Sequence, residues 1–345
     1  IMDAIHYDKI ADKLVNFHSK LANVENLEDE RAKEMIRKMK TQKIISHLWF
    51  DNEKNSVEKV VEFYKTVFKN VEIKNISRYG KAGQEIHKQK PGSVMTVNFS
   101  IENYEFVGLN GGDYFQLNPS VSFFVLCNTE KEIEDFWSKL KENGKVLMPL
   151  DNYEWSPKYG WVEDKFGVNW QLMLEESRST KEKIVPSFFF TGKSHGRAEE
   201  AINFYTSVFK NSQIEGILKY TKDDKNDYAF GTVKHAQFQL EGQTFMAMDS
   251  GIENDFPFNE AISFIIDCQT QEEIDYYWNM LSTIPEAEQC GWLKDKFGIS
   301  WQVVPSTLLN KMLQDPDNEK RERAVASFMQ MKKFNIQQLK KDFEG

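Results

Sequence analysis

Three cysteines in 345 residues are too few for a disulfide framework, so a reducing, cytoplasmic setting is expected. No apolar run approaches the roughly 18 residues that cross a bilayer, and the first residues do not read as a signal peptide. Positive charge is not in excess. Against 44 Lys and Arg stand 53 Asp and Glu, a net charge of −9, so no overall positive field draws in nucleic acid or an anionic membrane. What is present is an ordinary globular balance, 28% charged and 40% hydrophobic, which excludes a disordered or collagen-like chain. The length predicts about two domains.

The chain repeats itself. Residues 58–70 (EKVVEFYKTVFKN) and 199–211 (EEAINFYTSVFKN) share seven of thirteen positions at an offset of 141. The same offset aligns SVSFFVLC (120–127) with AISFIIDC (261–268), and Trp137 with Trp278. GWVEDKFGVNWQL (160–172) then matches GWLKDKFGISWQV (291–303) at an offset of 131. Ten residues are missing from the second copy, where the first has PLDNYEWSPKY. Register kept this long marks a tandem duplication.

Each copy falls into two similar parts. KIISHLWF alternates as a strand does, and Val57, Val60, Val61, Tyr64 and Phe68 follow at helical spacing. Strand-like runs VEIKNISRY, GSVMTVNFSI and YEFVGLN come next, the last closed by Asn110-Gly111-Gly112. The order then restarts with SVSFFVLC. Thr129 and Glu132 sit at capping-box spacing before the next helix, and Gly144 is placed to end it. KVLMPL, YGWVED and VNWQLML complete the set. The reading is α+β: βαβββ modules, four in all. Residues 1–42 form a helical N-terminal extension, with Ile10, Leu14, Phe17 and Leu21 as one stripe. Two domains follow at 43–177 and 183–305. Residues 306–345 are a helical tail broken at Asp315-Pro316-Asp317. Both flanks are expected to pack on apolar surface.

Tandem βαβββ modules with FYxxVF on the first helix and D-x-F-G-x-x-W-Q at the last turn and strand resemble the vicinal oxygen chelate superfamily. That group includes glyoxalase I, extradiol dioxygenases, and fosfomycin and bleomycin resistance proteins. GLNGGDYFQLNPSVSFFV, WSPKYGWVEDKFGVNWQL and the tail DPDNEKRERAVASFMQMKKFNI are similar to its PhnB-like branch. Members of that branch are sometimes labelled 3-demethylubiquinone-9 3-methyltransferases. A conventional S-adenosylmethionine site needs a glycine-rich strand-to-helix turn in a parallel sheet. The cluster Gly108 to Gly112 lies between two strands instead, so that chemistry is not expected. The resemblance implies two glyoxalase-like domains whose sheets curl, with helices outside and ligand on the concave face.

By the same resemblance, metal ligands come from the first and last strands of each module. The matching positions are His47, Glu105, Ser122 and Gln171 in the first copy, and Ser187, Thr244, Ser263 and Gln302 in the second. Pairing across the copies would bring His47 and Glu105 beside Ser263 and Gln302; pairing within them is the alternative. A catalytic divalent ion ordinarily wants three His or carboxylate ligands and an open position. Only His47 and Glu105 qualify, so the expectation is a cavity without metal or other cofactor; a divalent metal held by those two is the alternative. Alternation puts Thr96 and Asn98 on one polar face, and His235, Gln237 and Gln239 on its counterpart. Trp49 shares the parity of His47. Trp170 and Trp301 point toward the helices, as do Cys127 and Cys268. Asp164 and Asp295 read as turn residues bonding their own backbone, and Trp155 lies where a loop can serve as a lid. The expected function is binding of a small molecule by a monomer that imitates a homodimer, or by a homodimer. The alternative is a glyoxalase- or dioxygenase-like metalloenzyme with one live cavity.

Overall fold

A computed structural model describes residues 42–175 and 182–345; the helix expected over 7–40 lies outside the described residues. The first module runs β1 (Ile44–Phe50), α1 (Val57–Val67), β2 (Val71–Arg78), the single turn α2 (Gln84–His87), β3 (Val94–Ile101) and β4 (Tyr104–Asn110). The second has β5 (Val121–Cys127), α3 (Glu130–Leu140), β6 (Lys145–Tyr153), β7 (Ser156–Glu163) and β8 (Asn169–Leu174). In the second copy, β9 (Ile184–Phe190), α4 (Ala198–Val208), β10 (Gln213–Lys219), β11 (Val233–Leu240) and β12 (Gln243–Asp249) repeat the first module. Then come β13 (Ile262–Asp267), α5 (Gln271–Leu281), β14 (Trp292–Lys294) and β15 (Ser300–Val304). Equivalent threonines start the equivalent helices. Thr129 Oγ1 accepts from the Glu132 amide at 3.2 Å and Thr270 Oγ1 from the Glu273 amide at 3.3 Å, each satisfying a donor the helix leaves open.

The strands make two mixed sheets, ordered β14-β15-β13-β1-β4-β3-β2 and β10-β11-β12-β9-β5-β8-β7-β6. We call them sheet 1 and sheet 2. Each joins the leading module of one copy to the trailing module of the other, through the antiparallel pairs β1–β13 and β5–β9. Residues 43–345 accordingly form one compact unit, and the sequence copies are not the units of the sheets.

Both sheets curl. Trp161 on β7 and Phe189 on β9 are three strand steps apart, about 14 Å on a flat sheet, yet their rings lie 5.2 Å apart. His47 on β1 and Trp292 on β14 are likewise three steps apart, with rings 5.3 Å apart. The helices cover the outer faces, where one large core collects Ile44, Leu48, Phe123, Trp170, Phe188 and Trp301. The inner faces are the concave ones.

The fourth module departs from the expected βαβββ. It has no strand equivalent to β6, because the ten missing residues belong to the β6–β7 hairpin. The tail stands in that place. It forms α6 (Ser306–Leu313), α7 (Asn318–Met329) and α8 (Ile336–Glu344), and its chain after α7 runs beside β14. The Cys290 amide donates to the Met331 carbonyl at 2.8 Å and the Gly291 amide to that of Lys332 at 2.7 Å. The Glu322 carboxylate accepts from the amides of Lys81 and Ala82 at 3.0 and 2.6 Å, just beyond β2. The tail thus ties together segments next to both outer strands of sheet 1, and supplies partners to an edge that would otherwise be open.

Candidate functional site

The inner face of sheet 1 gathers seven of the residues expected to line a pocket, and they come from both copies: His47, Trp49, Thr96, Asn98, Glu105, Ser263 and Gln302. His47 and Ser263 are directly opposed across β1 and β13. His47 is 4% exposed, and its Nδ1 is shielded from solvent with no hydrogen-bond partner. Burial in these surroundings pushes its pKa down to about 3, so the imidazole is neutral at physiological pH. Its ring meets Trp292 edge-on at 5.3 Å, and Trp292 in turn faces Trp49 at 6.3 Å.

Trp49 is held in place by its surroundings. Its Nε1 donates to the Gly112 carbonyl at 2.8 Å, and Phe115 packs on it edge-on at 5.0 Å. Gly111 lies so close beneath the indole that a Cβ there would fall 2.1 Å from the ring, while a Cβ on Gly108 would fall 2.5 Å from Val57 Cγ1. Gly108 allows close packing of β4 on Val57 of α1, and Gly111 allows the chain to pass beneath Trp49. Gly111→Ala is therefore expected to displace Trp49 and shift tryptophan emission to the red; unchanged emission would refute the contact.

Glu105 points into the same sheet but is paired with Lys74 Nζ at 2.5 Å. Ser263 Oγ accepts from Gln302 Nε2 at 2.9 Å. These four positions are therefore one neutral histidine, one carboxylate already bound to a lysine, one hydroxyl and one amide. Among the described residues no three His, Cys, Asp or Glu side chains come together as a metal site would require. The donor set does not fit a catalytic divalent ion.

Sheet 2 receives the other six: Ser122, Gln171, Ser187, His235, Gln237 and Gln239. Its inner face is packed differently. Phe124, Leu126, Tyr159, Trp161, Val185, Phe189 and Met246 are buried there as a second apolar cluster. Within it three polar groups form a chain: Tyr159 Oη donates to Gln171 Oε1 at 2.5 Å, and Gln171 Nε2 to Ser122 Oγ at 2.7 Å. Trp161 Nε1 donates to Asn169 Oδ1 at 3.2 Å. Ser187, opposite Ser122 and equivalent to His47, is fully buried with its Oγ unpartnered. His235 packs against Phe124 at 6.1 Å; burial lowers its pKa, with the Glu175 charge opposing. Gln237 and Gln239 turn to Glu215 at the exposed edge, at 2.6 and 2.5 Å. Trp155 is 53% exposed and stacks on Tyr153 at 4.9 Å at the tip of the β6–β7 hairpin.

Trp292 and Ser300 were not singled out from the sequence as pocket residues. The signal was present: in a β-pair, opposed residues share a face, and Trp292 opposes Gln302. A cleft of about 410 Å³ opens beside Trp49, between Asp51, Lys54, Phe115, Lys145 and the turn 163–167. It touches the expected set only at Trp49. Its Lys54 is paired with Asp51 at 3.3 Å. The turn aspartates are buried in matching knots. Asp164 accepts from Tyr64 Oη, Trp170 Nε1 and the amides of Phe166 and Val168 at 2.9, 3.0, 2.9 and 3.1 Å. Asp295 accepts from Tyr205, Trp301, Phe297 and Ile299 in the same way.

The family described as 3-demethylubiquinone-9 3-methyltransferase matches the chain twice, over residues 42–173 and 182–304. Among solved structures, a putative 3-demethylubiquinone-9 3-methyltransferase, PhnB protein, from Bacillus cereus is 38% identical over 39% of this chain and 100% of its own, with a TM-score of 0.34. A protein from Staphylococcus aureus is 30% identical over 39% of this chain and 96% of its own, with a TM-score of 0.16. Glyoxalase I from Zea mays is 14% identical over 78% of this chain and 96% of its own, with a TM-score of 0.47. No curated protein matches the chain. No helix among the described residues is long and apolar enough to cross a membrane.

Proposed function

The chain belongs to the 3-demethylubiquinone-9 3-methyltransferase family, the PhnB-like branch of the vicinal oxygen chelate superfamily, and from that premise we propose that it binds a small molecule, without a metal, in the cavity of sheet 1. The observation that carries this reading is His47: a neutral imidazole, buried between the sheet and Trp292, with a shielded nitrogen that has no partner. A buried polar atom left unpaired costs about 1–3 kcal/mol, and a bound ligand is what would recover it. Sheet 2 supports the choice by contrast, since its inner face is filled by its own side chains. A methyl transfer of the conventional kind has no support in the fold. The glycines near residue 110 join β4 to β5, and neither sheet is the parallel sheet that such a site is built on.

The test is a thermal-shift screen of neutral small molecules on wild-type, His47→Ala and Ser187→Ala protein. A ligand at about 100 times its Kd adds roughly 2.7 kcal/mol. Hits are expected to lose that shift in His47→Ala and keep it in Ser187→Ala; hits indifferent to His47 would refute the site. Elemental analysis of chelator-free protein covers the metal: near-stoichiometric metal, lost in His47→Ala, would overturn the metal-free reading.

A further inference from the structure

The two inner faces are built from equivalent positions, so they can be compared atom by atom. In sheet 2 the protein itself satisfies two of the polar groups: the Tyr159 phenol fills Gln171 Oε1, and Asn169 fills Trp161 Nε1. In sheet 1 the lower half of that chain is kept, as Gln302 Nε2 to Ser263 Oγ. The upper half is gone. The position of Tyr159 is taken by Cys290, which has a φ of 51° in the turn where the Gln289 amide bonds the Trp292 carbonyl. Its amide is drawn away to Met331, so the backbone has left the strand path that carries Tyr159 into sheet 2. The position of Asn169 is taken by Ser300, whose buried Oγ has no partner. Among the described residues Gln302 Oε1 receives no donor.

Sheet 1 therefore has no counterpart of the Tyr159 phenol. The neighbours of the equivalent place are of the right kind to hold one. Phe124 lies 6.4 Å from the Tyr159 ring in sheet 2, and Ile265 is its equivalent in sheet 1, buried on the inner face. Trp292 and His47 stand alongside, where sheet 2 has Trp161 and Ser187. Two charged groups on this face are paired: Glu105 with Lys74, and Lys294 with Glu260 at 2.8 Å. A charged ligand beside His47 would be buried at a desolvation cost.

Resting on the pocket reading above, we propose that sheet 1 receives an uncharged aromatic alcohol whose hydroxyl donates to Gln302 Oε1, in the place that the Tyr159 phenol takes in sheet 2. The ligand completes in one cavity the hydrogen-bond chain that the protein completes for itself in the other. Trp292 Nε1 and His47 Nδ1 are the further groups it can satisfy.

The experiment is a fluorine NMR titration of the full chain with four probes: para-fluorophenol, fluorobenzene, para-fluorobenzoate and para-fluorobenzylamine. The phenol is expected to bind about tenfold tighter than fluorobenzene, the value of one well-made hydrogen bond, and the two charged probes more weakly than either. Gln302→Leu is expected to erase the preference for the phenol over fluorobenzene. Gln302→Glu, which keeps an acceptor, is expected to retain it. Because a core change can also unfold the chain, both variants are compared at matched fraction folded. Equal binding of phenol and fluorobenzene to wild type overturns the proposal, as does tighter binding of either charged probe. A phenol preference that survives Gln302→Leu overturns it too. If none of the four binds, the aromatic-alcohol class falls alone; the pocket itself stands or falls with the His47→Ala screen.

Discussion

Replacing Asp164 with Ala is expected to cost about 4 kcal/mol of stability, among the largest effects a single substitution can have in this protein. The carboxylate is 2% exposed and accepts four hydrogen bonds, from Tyr64, Trp170 and the amides of Phe166 and Val168. It therefore fastens α1, β8 and the turn between β7 and β8 to one another. Ala leaves four donors with no acceptor, three of them buried and each of those costing its desolvation. Burial raises this carboxyl to about 6, the donors from Trp170, Phe166, Tyr64 and Val168 working against that rise. Asn is no substitute, because all four partners donate and its NH2 group is a fifth donor. Tyr64→Phe removes one bond and leaves the rest, so a loss of about 1.5–3 kcal/mol is expected. Urea denaturation of the three variants gives the order directly. Asp164→Ala within about 1 kcal/mol of wild type would refute the knot. Asp295→Ala should behave alike, since Tyr205, Trp301, Phe297 and Ile299 repeat the arrangement.

These knots show how far the sequence could be read and where it stopped. The recurrence of Asp164 and Asp295 at one turn position was visible, and so was their structural character. Their side-chain partners were not, because Tyr64 and Asp164 are a hundred residues apart and nothing in the local pattern joins them. Strand alternation placed His47, Trp49, Ser263 and Gln302 on inner faces, since a period of two leaves no freedom once one face is buried. It could not say that sheet 2 would close over its own polar groups. That depended on Tyr159, Met246 and Phe189 meeting across a curled sheet. Lys74 was invisible as the partner of Glu105 because β2 shifts register beside it, between Ile73 and Asn75. The tail read as helix, but its role beside β14 followed from a deletion whose structural consequence lies in pairing, not in propensity.

The acid side of the stability curve is expected to carry the signature of His47. Its pKa is about 3 in the folded chain, lowered by burial, against about 6.5 when unfolded. Between those values the unfolded chain binds one proton more than the folded one, so stability falls as the pH drops. Each unit of pH costs about 1.4 kcal/mol, or roughly 4–5 kcal/mol over the whole window. Asp164 acts in the opposite sense: a carboxyl raised to about 6 makes the folded state gain stability as the pH falls from 6 toward 4. The wild-type curve alone mixes the two. The difference between wild type and His47→Gln isolates the histidine, because Gln carries no charge and Asp164 is common to both. At pH 4.5 the wild type should have lost about 2.5–3 kcal/mol relative to the variant, compared with pH 7.5. A difference that stays flat with pH would mean that the imidazole is hydrated, and would remove the buried, unpartnered nitrogen on which the pocket rests. The same low pKa sets an expectation for the proposed ligand. A neutral imidazole between pH 5 and 8 offers a donor or an acceptor and no charge, so affinity for an uncharged ligand should stay constant over that range. An ion-paired ligand would instead follow the titration of its partner.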